Sequence, residues 1–367
     1  MVHHLNVLLP THGVFDTVGP FNFSAGVDLF FAISGYVITQ SLSPQLNAAS
    51  TATAKRRVVF AFWIKRAFRL WPSAWFWLGF ILLTTGIFKF SNPQLGFQTN
   101  VSWAIAGGLN FANFRFALAF GHAPLGASFH YWSLSLEEQF YLLLPLVVML
   151  FGRRASALLA VLMVIDVLRP PSFLTVSTRI ASLILGVLIA RWSRHASYAW
   201  VERRFARLSR GLAFALCLGA ALLIALAGGR SGAAPLKWGL VAAAAGATVL
   251  LASFDRDALS IGRHWRSFAE WVGRRSYALY LIHLPIYLVL NDILRGYFVT
   301  PPIPFFKSVV VCLAMLSVAA LAELNYRVIE TPFRDRGRRL AERLNSARKD
   351  ATANTGEINL AGRPSAR

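Results

Sequence analysis

Residues 132–151 read WSLSLEEQFYLLLPLVVMLF, and this stretch decides the fold class. Its length matches the roughly 20 apolar residues that cross a bilayer as one helix. Further apolar stretches lie on both sides of it, at 26–42, 70–88, 155–168, 179–190, 211–228, 238–254, 276–294 and 306–324. Residues 1–9 read as the last part of one more helix. The sequence therefore predicts an all-α polytopic membrane protein with about ten transmembrane helices.

The composition supports this class. The chain has 367 residues, of which 56% are hydrophobic and 14% are charged, whereas a soluble domain carries about 25% charged residues. Cys217 and Cys312 both lie in apolar stretches, which suits neither a disulfide framework nor a thiolate metal site. Residues 101–120 are apolar but contain Gly107, Asn110 and Arg115, so we expect them to dip into the membrane or lie on its surface.

The net charge of +21 is explained by membrane topology, without nucleic acid as a partner. Ten spans with alternating sides bring five loops together, and these loops hold 29 of the 37 basic residues. Lys and Arg collect in cytoplasmic loops, so we expect this side to be cytoplasmic. The five loops are 55–69, 152–154, 191–210, 255–275 and 327–367.

The two ends of the chain differ from the middle. Met1 is followed so soon by Pro10 that the first helix is too short. Either this helix is truncated at its N-terminus, through an upstream start or a shortened gene model, or the chain starts inside the bilayer, and we favour truncation. At the other end the apolar pattern stops. We therefore divide the chain into a transmembrane domain at 1–334 and a basic cytoplasmic tail at 335–367, helical at first and then disordered.

Ionisable residues inside the spans need a reason, because each costs about 2.5–3.5 kcal/mol on insertion scales. The sequence places eight of them there: His4, Asp28, Glu137, Glu138, Asp166, Arg179, His283 and Glu323. Glu137 and Tyr141 are four residues apart and share a helix face. No histidine pair shows metal-ligand spacing, so we expect no metal site.

Each candidate also has a plainer interpretation. Asp28, Glu137 and Glu138 suit the positive end of a helix dipole. His3 and His4 could be solvated residues near a chain end. His283 could bond a carbonyl freed by Pro285. The basic pair Arg66 and Arg69 would suit an anionic-lipid anchor as well as the phosphates of a nucleotide-like donor.

Six stretches of the chain, in order, resemble the acyltransferase 3 family of integral membrane acyltransferases. They are residues 26–39, 65–72, 132–145, 179–186, 276–285 and 326–334. The resemblance implies a multi-pass enzyme of the bacterial inner membrane. Such enzymes take an acyl group, usually acetyl, from cytoplasmic acyl-CoA as co-substrate and pass it to a hydroxyl of a surface glycan or its lipid-linked precursor. It implies no bound cofactor.

The resemblance also implies site residues. The family's first-helix histidine matches His4, with His3 as the competing assignment, and the family's acid maps to Glu137. We hypothesise that His4 deprotonates the acceptor hydroxyl and that Glu137 or Asp28 orients its imidazole, as in a triad. The remaining predicted contacts are Arg66 and Arg69 for CoA phosphates and Arg179, Tyr141 and His283 for the acceptor. Arg179 could instead pair with an intramembrane acid.

Two other functions fit the same residues. A transporter or flippase for a lipid-linked saccharide could use intramembrane His, Asp and Glu as a proton relay, although no inverted repeat is evident. A non-catalytic scaffold for polysaccharide assembly would leave these residues without a chemical role.

Overall fold

The computed structural model describes residues 2–8, 23–229, 237–254, 262–297 and 304–344. Every regular element in these ranges is a helix, so the all-α prediction is confirmed. The span expected at 1–9 is described only over residues 2–8. The tail expected at 335–367 is helical as far as residue 344, and residues 345–367 lie outside the described part.

The first half of the chain begins with a 3-10 turn at Val2–His4. The helices that follow are α1 (Leu5–Leu8), α2 (Gly26–Ala48), α3 (Ala52–Ile87), α4 (Phe97–Gly108), α5 (Ala112–Ala119), α6 (Tyr131–Phe151) and α7 (Ala155–Leu168).

The second half contains α8 (Phe173–Ser177), α9 (Ala181–Trp192), α10 (Ala196–Ala206), α11 (Arg210–Gly229), α12 (Lys237–Ser253), α13 (Arg263–Tyr297) and α14 (Pro304–Asn325). A π-helix at Tyr326–Glu330 follows α14, and residues 331–344 continue as helix.

Seven helical stretches in the described residues are long and apolar enough to cross a membrane. The expected count of ten is not confirmed, for three physical reasons. The helices α6 and α7, joined at Gly152–Arg154, form one continuous candidate at Tyr131–Leu168. The helix α12 has only 17 residues, or about 26 Å. The described part of the first span is one short turn.

Residues 101–120 form no candidate span. They fold as the short helices α4 and α5, joined by a turn in which Asn110 has a positive φ of 60°. Asn is one of the few residues that adopts this conformation readily. That this segment dips into the membrane or lies on its surface stays a prediction.

The described parts of all five basic regions are linked to one another in the structure. Loops 55–69, 152–154 and 191–210 all line one cavity, and Phe68 of the first loop packs against Gly337 beyond α14. Arg275 and Arg327 both bind Glu323 near the end of α14, so the described part of the fifth region also meets region 255–275, at a residue that lies inside α13. These are the segments that the sequence prediction, with its alternating spans, groups on one side.

Helices α2 and α9 form the most extensive helix pair. A Cβ added to Gly35 would collide with the Leu183 carbonyl, and one added to Gly186 would collide with the Ala32 carbonyl. The two backbones therefore touch at their crossing point, which only glycine permits. Gly35 of α2 and Gly186 of α9 thus allow the close packing of this helix pair.

Candidate active site

His4 is hydrogen-bonded to His283, 279 residues away in sequence. Nδ1 of His4 lies 2.8 Å from Nε2 of His283, and the two rings stack with centroids 5.1 Å apart. Nδ1 of His283 lies 2.8 Å from the carbonyl oxygen of Tyr280, one helical turn earlier in α13. His283 is completely buried, so this pair is held inside the bundle.

The hydrogen-bond network fixes the tautomers of both neutral rings. The carbonyl of Tyr280 can only accept, so the proton of His283 lies on Nδ1 and its Nε2 must accept. Nδ1 of His4 therefore carries a proton and donates it to His283. The remaining nitrogen, Nε2 of His4, has an unshared electron pair, which is what a general base requires.

His3 and His4 have different surroundings in the structure. The side chain of His3 is exposed, whereas His4 is partly buried and also contacts Phe129, with ring centroids 5.6 Å apart. His130 completes the surroundings, with its ring centroid 5.3 Å from that of His283. The ring of His3 lies 5.2 Å from that of His4, but among the described residues only His4 is hydrogen-bonded to the buried His283.

Glu137 does not bond to His4. Its carboxylate accepts a hydrogen bond from the Tyr141 hydroxyl, which lies 2.6 Å from the hydroxyl of Ser34 on α2. Glu137 is 2% exposed. Glu137 and Tyr141 thus share a helix face, as expected, and they are hydrogen-bonded to each other across it. The described hydrogen-bond partner of His4 is His283, for which the sequence predicts a contact with the acceptor.

The helix-dipole interpretation of Glu137 and Glu138 is wrong, because α6 begins at Tyr131 and no acid lies in its first turn. Glu138 instead accepts hydrogen bonds from the indole of Trp71 (2.5 Å) and the amide of Asn110 (2.9 Å). It therefore ties α3 and the turn between α4 and α5 to α6.

Asp28 and Arg179 form a buried ion pair. The guanidinium of Arg179 donates to both carboxylate oxygens of Asp28, at 2.9 to 3.2 Å, and Ser182 donates a further bond at 3.0 Å. The Arg179 guanidinium also lies 4.2 Å from the ring centroid of Trp238. With its oxygens occupied, Asp28 does not orient His4, and Arg179 has the intramembrane acid as its partner.

Arg66 lies beside the polar group of Glu137 and Tyr141. Its guanidinium is 5.1 Å from the ring centroid of Tyr141 and lines a cavity of about 680 Å³ whose walls are mostly aromatic and aliphatic. Nε of Arg69, one turn on, is buried and makes no hydrogen bond within the described residues. Both predicted donor-binding arginines are thus half-buried, and Arg66 packs on Tyr141, the hydrogen-bond partner of Glu137.

No group of three or more His, Cys, Asp or Glu side chains in the described residues is arranged to hold a metal ion. Separately, the hydrogen bond between His4 and His283 joins two side chains that are capable of acid–base chemistry. Such a set can move a proton to and from a hydroxyl nucleophile.

Comparison with known proteins relates the chain to acyltransferases. A family model described as an acyltransferase domain matches residues 1–323. The chain is 29% identical to the O-acetyltransferase OatA of Staphylococcus aureus, over 85% of this chain and 53% of that protein. It is 27% identical to the peptidoglycan O-acetyltransferase OatA of Listeria monocytogenes, over 85% of this chain and 51% of that protein.

The chain spans about half the length of these curated relatives. No solved structure matches it. The family match covers most of the chain, including α2, α6, α9 and α13, which carry the polar residues described above. From this match and the O-acetyltransferase relatives, we conclude that the chain belongs to the acyltransferase 3 family.

Proposed function

We propose that this protein is a membrane-embedded acyltransferase that moves an acyl group, acetyl in the first instance, from acyl-CoA to a hydroxyl of a glycan. The family match and the names of the relatives support this proposal. One relative is named for peptidoglycan, so peptidoglycan or its lipid-linked precursor is the first acceptor to test.

The hydrogen bond between His4 and His283 is the single observation that carries the mechanism. Nε2 of His4 takes the proton of the acceptor hydroxyl, and the hydroxyl oxygen attacks the carbonyl carbon of the thioester. The carbon–sulfur bond then breaks, and the proton passes from His4 to the departing thiolate. The products are an acyl ester on the glycan and free CoA.

His283 acts as a positioning residue in this scheme. Nε2 of His283 accepts a hydrogen bond from the N–H at Nδ1 of His4. This bond keeps Nε2 of His4 unprotonated and available, which is the role that an acid has in a triad. A fully buried histidine fixed to a backbone carbonyl holds this orientation without an added charge in the membrane, where a charge is costly.

Glu137 positions Tyr141, and the pair lies between the histidines and the basic side of the bundle along α6. Arg66 and Arg69 contact the donor there, since Arg66 packs on the ring of Tyr141. Asp28 and Arg179 hold α2 against the segment before α9, and through this support they shape the acceptor side.

The proposal includes a location and a topology. The protein lies in the bacterial inner membrane with ten spans over residues 1–334, and the basic loops and the tail at 335–367 face the cytoplasm. The contacts among the basic segments support a common side, and acyl-CoA is a cytoplasmic metabolite, so the donor would enter from that side.

Reconstituted vesicles test the reaction. The purified protein is given acetyl-CoA labelled in the acetyl group, together with a lipid-linked glycan. We expect label in the glycan, lost in the His4→Ala variant but retained in His3→Ala. Movement of the glycan across the bilayer without transfer of label would identify a transporter instead.

The acceptor is tested in the producing organism. Mass analysis of muropeptides from a deletion strain, compared with the complemented strain, is expected to show loss of acetylated sugars. Unchanged muropeptides with loss of an acyl mass from another surface polysaccharide would contradict peptidoglycan as the acceptor while leaving acyl transfer intact.

A further inference from the structure

A second cavity, of about 1030 Å³, lies at the basic end of the bundle. Three helix junctions form it: α2 with α3, α6 with α7, and α9 with α10. Its lining contains five basic side chains, Lys55, Arg153, Arg191, Arg194 and His195, and no aspartate or glutamate is among the described residues that line it. We call it the basic cavity.

The cations of the basic cavity are not neutralised within the described part of the chain. Arg191 donates to the hydroxyl of Ser156 (2.6 Å) and the carbonyl of Gly152 (2.9 Å), which are neutral acceptors. Lys55 and Arg153 form no ion pair with a described residue. Like charges gathered around one concave space create a positive potential that attracts an anion.

An unsatisfied hydroxyl supports the same conclusion independently. Ser43 lines the basic cavity, is 5% exposed, and its Oγ has no hydrogen-bond partner among the described residues. A buried polar group without a partner is costly and marks a place where a ligand can supply the missing bond.

Along α6 the basic cavity lies two helical turns from the polar centre of the bundle. Val148 lines it and lies seven residues after Tyr141 on α6, two helical turns or about 10 Å along the axis. At that spacing the two side chains share a face. A ligand anchored at the basic end could thus extend an arm along α6 to Tyr141 and Glu137.

The other cavity is a poor place for several phosphates. The cavity beside Arg66 also contains the Glu138 carboxylate, and aromatic and aliphatic side chains form most of its wall. Repeated negative charge would gain little there and would be repelled by Glu138. The contrast assigns the phosphate-bearing part of a ligand to the basic cavity and leaves Arg66 for an uncharged portion.

We infer that the basic cavity binds the nucleotide end of the acyl donor, namely the adenosine with its diphosphate and additional phosphate. The acyl-bearing arm then runs along α6 toward Tyr141. This inference rests on the proposed function for the identity of the donor, and it transfers phosphate recognition from Arg66 and Arg69 to Lys55, Arg153, Arg191 and Arg194.

The test measures binding without chemistry. The full chain, in nanodiscs of neutral phosphatidylcholine, is titrated with free coenzyme A and with adenosine 3′,5′-bisphosphate. The variant K55Q/R153Q removes two cations that line the cavity. Its matched control, R56Q/R154Q, removes the two neighbouring cations, which do not line it, so the net charge of the two variants is equal.

We expect coenzyme A to bind the wild type and the control equally, and the Kd of K55Q/R153Q to rise about tenfold or more. Equal Kd values in the two variants would overturn the inference. A parallel titration uses nanodiscs that contain phosphatidylglycerol. Binding of phosphatidylglycerol at this site without any binding of coenzyme A would also overturn the inference, because the occupant would then be a lipid headgroup.

The outcome is distinguishable from failure of the proposed function. If binding follows the prediction but no acetyl group reaches any glycan, the site stands and the proposed reaction falls. If acetyl transfer occurs with the same donor KM in K55Q/R153Q as in R56Q/R154Q, the reaction stands and the assignment of the basic cavity falls.

Discussion

The two ends of the bundle treat charge in opposite ways. At the end that carries α13's His283, charged groups have partners inside the protein: Asp28 with Arg179, and Asp166 with Arg169. At the opposite end, the basic side chains of the basic cavity have no aspartate or glutamate among the described residues that line it, whereas Arg275 and Arg327 outside the cavity share Glu323. The first arrangement is complete without a ligand. The second requires an anion from outside to neutralise it.

This difference indicates a division of work. The histidine end offers a neutral base in a fixed orientation, whereas the basic cavity offers positive charge for binding. Helix α6 spans the distance, with its first turn beside the histidines and Val148 and Met149 at the basic cavity. Changes at one end are expected to alter the rate of chemistry, and changes at the other to alter the affinity for the donor.

Replacement of His4 by alanine is expected to have the largest effect. Loss of the general base lowers the rate of acetyl transfer by about 10²–10⁴-fold, with protein abundance and coenzyme A binding unchanged. Initial rates with labelled acetyl-CoA measure the first effect, and titration with coenzyme A measures the second. A variant with normal rates would break the assignment of chemistry to the histidine end.

The ion pair of Asp28 and Arg179 is expected to affect folding. Asp28→Ala leaves the Arg179 charge buried without a partner, which costs about 3–5 kcal/mol, so the membrane abundance and Tm should fall. The double variant D28N/R179Q should recover part of the loss, because neither residual group is charged. A stable but inactive Asp28→Ala variant would instead place Asp28 in the chemistry.

His283 is expected to act through His4. In His283→Leu the Nδ1 proton of His4 loses its acceptor, and we expect kcat to fall by about one to two orders of magnitude at a nearly unchanged donor KM. His283→Gln supplies an amide oxygen as acceptor and should recover part of kcat. A pH profile of kcat that does not differ between wild type and His283→Leu would contradict a positioning role.

Arg66 is expected to have the smallest effect. Arg66→Gln removes the cation–π contact with Tyr141, worth about 0.5–2 kcal/mol, and should raise the acyl-CoA KM several-fold, less than K55Q/R153Q does. Arg66→Lys, which keeps the charge, is the matched comparison. A larger effect of Arg66→Gln than of K55Q/R153Q would reverse the assignment of the phosphates.

Sequence alone was sufficient for the class of fold and the family. Long apolar stretches determine a helical membrane protein, and six ordered motifs indicated the acyltransferase 3 family, which the family match confirms. The grouping of the basic loops also followed from the sequence, because the order of the spans along the chain determines which loops lie on the same side of the membrane.

The partners of the site residues could not be predicted. Helical spacing joined Glu137 to Tyr141, a local relation that the structure contains. The bond of His4 to His283 and that of Asp28 to Arg179 connect residues 279 and 151 positions apart, and no periodicity reports such pairs. The basic cavity was missed for a similar reason, since its cations come from three loops and had been counted only as a topology signal.

The contact of α2 and α9 through Gly35 and Gly186 has a mechanical consequence. With backbone against backbone there is no layer of side chains to shear, so these two helices move as one stiff body. Ser34 and Ser182, each beside this crossing in sequence, are carried with it. Any opening that admits a bulky sugar must therefore come from the elements packed around this pair. The pair itself stays fixed while those elements move.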